Sequence, residues 1–256
     1  MDGPVRIPGA PPEWLVWDEP TRCPYLPSET AHLPLRLPMR RLKPAEFARR
    51  LAEGDRRQGL LLYRPKCPRC AACEAIRLDV AEFTANATQR RVLRGGDAQL
   101  RMLIGRPSVT EEKVALYNRH KMERGLTTGD GLIDVEGYEQ FLAESCTDTI
   151  EIRYVLNGLL VGVAIADRAA DALSAVYCFY DPSFARMSLG TYSVLKQIGL
   201  CRQWGLRYLY LGLYVAGNRA MAYKARYLPQ ELLEGRPALG DVPVWRRSAA
   251  TVEPVL

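Results

Sequence analysis

The chain has 256 residues, of which 48% are hydrophobic, 25% charged and 9% aromatic, a balance that excludes a disordered or fibrous protein and allows one or two domains with a sizeable core. No apolar run nears the ~20 residues of a membrane span, and the N-terminal MDGPVRIPGAPPEW lacks the apolar stretch of a secretory signal, so a cytoplasmic protein with no membrane partner is expected. The net charge of +6, from 35 Lys+Arg against 29 Asp+Glu, is carried mostly by arginine, which points either to phosphate and carboxylate partners or to arginine-rich codon usage.

Residues 1–20 are rich in proline at their start and read as a loose arm. Residues 44–50 read as a short helix, with Pro44 in the first turn, Phe47 and Leu51 one turn apart and Gly54 as the stop. Residues 59–63 and 75–80 read as strands flanking a cysteine cluster, so 21–95 is expected to form a small cysteine-bearing unit. Residues 98–104 alternate as a strand, and Ser108 with Glu111 forms a capping box for a helix that Gly125 ends. Tyr138, Phe141 and Leu142 mark a second helix. Strands 150–156 and 159–166 flank Asn157-Gly158, a pair suited to a two-residue hairpin turn. A third strand, 173–180, leads through Ser188-Leu189-Gly190-Thr191 into a helix bearing Tyr192, Leu195, Ile198 and Cys201 and stopped at Gly205. A strand over 207–215 and a helix over 218–226 complete the pattern. The order β-α-α-β-β-β-α-β-α over residues 96–256 is that of the α/β, GNAT-like N-acyltransferase fold with its mixed sheet.

Cys67, Cys70 and Cys73 form a C-x-x-C-x-x-C run, and Cys23 is the natural fourth ligand. One run with one remote cysteine suits an iron–sulfur cluster better than zinc, which usually pairs two knuckles, although zinc and an empty thiol site both stay open. Cys146, Cys178 and Cys201 stand singly and read as small buried hydrophobes. Neither histidine, His32 or His120, sits near a serine or cysteine motif, so nucleophilic catalysis is disfavoured. The loop from Arg186 to Thr191, before the helix that bears Tyr192, offers Gly190 alone where acyl-CoA transferases usually place two glycines, which weakens a CoA reading.

Several motifs resemble the aminoacyl-tRNA–protein transferases, the arginyltransferases of eukaryotes and the aspartate/glutamate leucyltransferases of bacteria. They are Cys23-Pro-Tyr-Leu-Pro, Tyr63-Arg64-Pro65 through Cys73, Ile76-Arg77-Leu78, Gln89-Arg90-Arg91, the run from Leu173 to Pro182, Ser188-Leu-Gly190-Thr-Tyr192, Tyr210-Leu-Gly212 and Met221-Ala-Tyr223-Lys224-Ala-Arg226-Tyr227. The resemblance implies transfer of an amino acid from charged tRNA to the N-terminal amine of proteins beginning with Asp or Glu, marking them for N-degron degradation. The compact length favours leucine, with arginine as the alternative; an acyl-CoA N-acetyltransferase and a metal-binding tRNA-binding module are more distant ones.

No cofactor is required for the chemistry such a transfer involves, because the tRNA ester is already activated. Tyr180, Asp181, Tyr192 and Tyr210 are the expected catalytic residues, for proton relay and for holding the amine. Arg64, Arg77 and Gln89 are expected around the acceptor's first residue, the arginines gripping its carboxylate. Ser188, Gly190 and Thr191 are expected at the aminoacyl end, and Lys224 and Arg226 on tRNA phosphates.

Overall fold

The computed structural model describes residues 5–126, 131–238 and 240–248. The first part carries strands β1 (Val5–Ile7), β2 (Glu13–Trp17), β3 (Pro20–Arg22), β4 (Thr30–His32) and β5 (Leu35–Pro38), helix α1 (Pro44–Ala52), and strands β6 (Arg56–Gln58) and β7 (Leu61–Tyr63). They form an antiparallel five-stranded sheet in the order β1-β2-β5-β7-β6, with β3-β4 as a separate ribbon. The stretch expected as a loose arm therefore holds two strands of this sheet. Its anchor is Glu13, a buried carboxylate ion-paired to Arg36 and Arg50, while the prolines fall outside β1 and β2. Arg50, which by sequence alone passes for a surface residue, is buried by the same pairing.

Strand β8 (Glu74–Asp79) is followed by α2 (Ala87–Gln99), β9 (Leu100–Gly105), α3 (Glu111–Glu123) and α4 (Val135–Tyr138), which runs on as a π turn over Glu139–Ala143. Then come β10 (Asp148–Leu156), β11 (Leu159–Arg168), β12 (Ala172–Tyr180), α5 (Leu189–Gln203), β13 (Tyr208–Tyr214), α6 (Arg219–Ala222), β14 (Gln230–Leu233) and β15 (Trp245–Ser248). An eight-stranded mixed sheet joins them in the order β15-β14-β8-β13-β12-β11-β10-β9. Every neighbouring pair is antiparallel except β12 and β13, which run parallel and pair over only three residues, Ala172 to Ser174 against Tyr208 to Tyr210.

Apolar side chains of α5 and α2 pack with Ile76, Leu78, Tyr154 and Ala164 on one face of the sheet. Those of α3 and α4 pack with Val163, Ile165 and Phe179 on the other, where α1 also joins Ala172 and Tyr210. The hairpin between β10 and β11 turns through Asn157 (φ 48°) and Gly158 (φ 86°), the left-handed pair that the sequence calls for.

The expected division at residue 95/96 falls inside α2, and β8, from the expected cysteine unit, lies within the large sheet. Helix α2 escapes sequence reading because it is polar and contains Gly95-Gly96. Asn86 and Gln89 cap it reciprocally at 2.9 Å, and Gly96 is needed because an added Cβ would stand 2.3 Å from the buried Tyr192 ring. The expected helix over 218–226 is shorter, splitting into α6 and a 3₁₀ turn over Tyr223–Arg226.

Candidate functional site

Beyond Ser174 and Tyr210 the parallel strands cease to pair, and the two chain ends that part there carry the polar groups of interest. Tyr180 closes β12 against the start of α5; a Cβ on Gly190 would touch its ring at 3.6 Å. Ser188 adopts a left-handed conformation (φ 54°, ψ 46°), its carbonyl accepts the Tyr192 N–H at 2.9 Å, and its hydroxyl makes no cap bond. The amides of Leu189, Gly190 and Thr191 thus begin the helix without intrahelical partners, the arrangement that receives an oxyanion.

Two residues one turn apart at the end of α3 fix Tyr180. The Arg124 guanidinium donates to the Tyr180 hydroxyl and lies over its ring, 5.5 Å from the centroid. The His120 ring stands edge-on to that ring at 4.6 Å, and its Nδ1 lies 2.9 Å from the Tyr180 carbonyl oxygen and 3.2 Å from the Tyr180 N. The part-exposed Tyr223 lies within electrostatic range of Tyr180, Tyr227, Cys178 and Arg124, and Thr191 interacts with the Tyr227 phenol. By sequence His120 is set aside as part of a nucleophilic device, Tyr223 enters only within the Met221–Tyr227 motif and Arg124 has no role; the i, i+4 spacing of His120 and Arg124 was the available signal.

Burial draws the His120 imidazole down to about 4, helped by the Arg124 and Lys121 charges against the Tyr180 hydrogen bond. Below histidine's ordinary value the unfolded chain binds a proton that the folded chain refuses until about pH 4. Stability conferred above that ordinary value is therefore lost as pH falls, by up to about 3 kcal/mol over the window. Urea melts between about pH 7 and pH 4.5 should show this slope, and His120→Asn should flatten it.

The other expected catalytic groups are engaged elsewhere. Asp181 accepts from Arg119 at 2.7 Å and from the Ser183 N–H at 2.9 Å, capping the 3₁₀ turn Pro182–Met187. Tyr192 donates to Asp97 on α2 at 2.9 Å, and the Tyr210 hydroxyl accepts from Arg77 at 3.0 Å. Only Tyr180, of the four, is brought together with the α5 N-terminus by its side chain.

The two arginines expected to grip an acidic side chain are also occupied. Arg64 donates to Asp55 at 2.8 Å, to Glu53 at 3.3 Å and to the Pro237 carbonyl at 2.5 Å. Arg77 stands in register between Tyr210 on β13 and Glu231 on β14. It bonds Glu231 at 2.6 Å and is sandwiched by Tyr208 (3.9 Å) and Trp245 (4.1 Å). Gln89 caps α2 and donates to the Arg226 carbonyl at 3.2 Å, so it braces the 3₁₀ turn from behind. The Arg226 side chain is exposed, as a phosphate contact requires. Lys224 is buried, its Nζ donating to the Leu213 carbonyl at 2.5 Å, so it is not a surface phosphate contact.

Cys23, Cys67, Cys70 and Cys73 are free thiols. Among the described residues no group of three or more Cys, His, Asp or Glu side chains is gathered as a coordination cage. Burial pushes the Cys73 thiol up to about 12, and Cys23, Cys67 and Cys70 are near enough to add to the rise. Backbone amides already address two of the sulfurs: Leu26 N–H reaches Cys23 Sγ and His32 N–H reaches Cys67 Sγ, both at 3.4 Å. Arg236 ties the loop down through the Cys67 and Cys70 carbonyls. The donor chemistry fits a thiolate-bound metal or cluster; the sulfurs would have to close on it.

Among the described residues no helix is long and apolar enough to cross a membrane. Two family models match the chain: "Arginine-tRNA-protein transferase, N terminus" over residues 21–91 and "Arginine-tRNA-protein transferase, C terminus" over residues 112–234. The aspartate/glutamate leucyltransferase of Chromobacterium violaceum is 37% identical over 216 residues, 84% of this chain and 89% of that one. The enzyme of the same name from Halorhodospira halophila is 38% identical over 218 residues, 84% of this chain and 91% of that one. Among solved structures, the crystal structure of FemX overlays with a TM-score of 0.44 at 10% identity, covering 64% of this chain and 58% of that one. Matched by both models, and identical to a relative at 37% of the positions aligned over 84% of its length, the chain belongs to the arginine-tRNA-protein transferase family, the tRNA-dependent aminoacyltransferases.

Proposed function

We propose that this enzyme moves leucine from its tRNA to the N-terminal amine of proteins beginning with Asp or Glu. The observation that carries the reading is the name shared by relatives at 35–38% identity over most of the chain. A GNAT-like architecture is proposed with it, supported by the single parallel pair, β12 and β13, within an otherwise antiparallel sheet.

An acceptor α-amine has an ordinary pKa of roughly 7.7–8, so a useful share is neutral at neutral pH, and the tRNA ester is an activated donor. The site then needs to position the two, receive the oxyanion and return a proton to the ribose oxygen. The amides at the start of α5 suit the oxyanion. Tyr180, with Arg124 on its hydroxyl, suits the proton relay, while Tyr192 and Tyr210 are bound to other partners. Arg226 suits a tRNA phosphate. Cys23, Cys67, Cys70 and Cys73 would hold an iron–sulfur cluster or zinc, which when bound would knit the loop between β7 and β8.

The test is transfer of radiolabelled amino acid from Leu-tRNA or Arg-tRNA to peptides beginning with Asp, Glu or Asn. Leucine transfer to the acidic peptides is expected, falling about 100-fold for Tyr180→Phe. Transfer of arginine alone would move the reading to the arginyl donor, and no transfer from either tRNA would overturn it.

A further inference from the structure

With Arg64 and Arg77 engaged, the acidic acceptor side chain needs another cation. The buried charges identify two candidates by subtraction. Glu13, Glu53 and Asp55 face Arg36, Arg50 and Arg64; Asp167 faces Arg57; Glu231 faces Arg77; Glu151 faces Lys113. Among the described residues, two buried cations, Arg56 (4% exposed) and Lys224 (6% exposed), form no ion pair with a carboxylate.

Both close on the same irregular piece of β13, past the point where β12 has left it. Arg56 donates to the Gly212 carbonyl at 3.1 Å, and Lys224 donates to the next carbonyl, Leu213, at 2.5 Å. Gly212 has φ +83°, and a Cβ there would lie 3.7 Å from Lys224 Nζ. The other amino group of Arg56 is held by the Asp55 carbonyl at 2.6 Å, but its Nε is buried with no partner. Burial, and next the Arg56 charge, draws the Lys224 amine down to about 7, against a smaller opposing pull from Cys73. Besides the carbonyls, Arg56 has the Tyr210 ring at 5.6 Å and the pull of Asp55, and Lys224 Nζ has the Met221 sulfur at 3.5 Å, so two basic groups share a desolvated corner without a carboxylate bound to either, the chemistry an anion would satisfy. The half-buried Tyr63 borders Arg56, and the half-buried Tyr25 lies next to Tyr63.

We propose that Arg56 and Lys224 receive the side-chain carboxylate of the acceptor's first residue, and so determine its acidic specificity. The inference rests on the reaction proposed above. A peptide carboxylate is favoured over a tRNA phosphate because groups this buried are reached by the tip of a slim side chain, not by a phosphodiester flanked by two riboses. Lysine's flexible stem lets Nζ turn from the Leu213 carbonyl to the incoming oxygen.

The experiment pairs calorimetric binding of short peptides beginning with Asp or the neutral isostere Asn, without tRNA, with transfer assays on the full chain. The wild type should bind the Asp peptide and not the Asn peptide. Lys224→Met should weaken Asp-peptide binding, and raise its KM in transfer, by roughly 10- to 100-fold. The KM for charged tRNA should stay as it was, and Lys224→Arg should retain the preference in part. A folded Lys224→Met chain that still prefers Asp over Asn would overturn the proposal, as would a wild type that binds neither peptide. Selective binding without any transfer would instead sink the proposed reaction and leave this pocket standing.

Discussion

Arg57→Met should lower stability by about 3–5 kcal/mol and the melting temperature by roughly 10 °C. Arg57 and Asp167 are both wholly buried, and the guanidinium Nε meets the carboxylate at 2.7 Å. The same guanidinium also holds the Gly59 and Glu144 carbonyls, at 3.2 and 3.0 Å, and Thr149 donates to the other Asp167 oxygen at 2.6 Å. Methionine fills much of the same volume but abandons Asp167 as an unpaired charge in the interior. The pair joins β6 of the small sheet to β11 of the large one, so its loss loosens the docking of the two. Thermal melts would check this, and a drop below ~1 kcal/mol would mean that the carboxylate escapes its burial. Arg57→Met with Asp167→Asn should recover part of the loss, because the stranded charge is gone.

Lys224→Met should act in the opposite sense and raise stability by roughly 2–4 kcal/mol at neutral pH. A lysine amine held near pH 7 binds its proton far less readily in the folded chain than in the unfolded one. Stability is greatest above lysine's ordinary value and declines as pH falls toward about 7, where the folded amine takes up its proton. Methionine removes that burden and gives up one hydrogen bond to the Leu213 carbonyl. A higher melting point together with poorer use of acidic acceptors is the signature of a group kept for function at the expense of stability. A lower melting point would assign Lys224 a structural role instead.

What the sequence reveals here follows from the range over which each feature is decided. The Asn157-Gly158 turn, the stop at Gly125 and the apolar side of α5 depend on neighbours a few residues apart, and all three are legible. Helix α2 is held by Gly96 against Tyr192 and by Gln89 reaching Arg226, contacts that span about a hundred residues or more, and local composition there argues against a helix. The arginines show the same limit. Residue type marks Arg64 and Arg77 as good carboxylate ligands, which they are, but their carboxylates are Asp55, Glu53 and Glu231 of the chain itself. Lys224 reads as one more surface cation beside Arg226. Only the pairing of β13 and the packing of the 3₁₀ turn set the two apart, one inside and one outside.

The placement of β8 bears on how such a chain can be divided. The two family models split the sequence between residues 91 and 112, yet β8 sits between β13 and β14, contributed by the other half. A gene fragment beginning after the first model would encode a sheet with its third strand missing, and β14 with β15 would have nothing to lie against. Neither half is a portable module. Recombination that swaps one half between relatives has to preserve the Arg77 register with both Tyr210 and Glu231, so the halves are expected to be inherited as a matched pair.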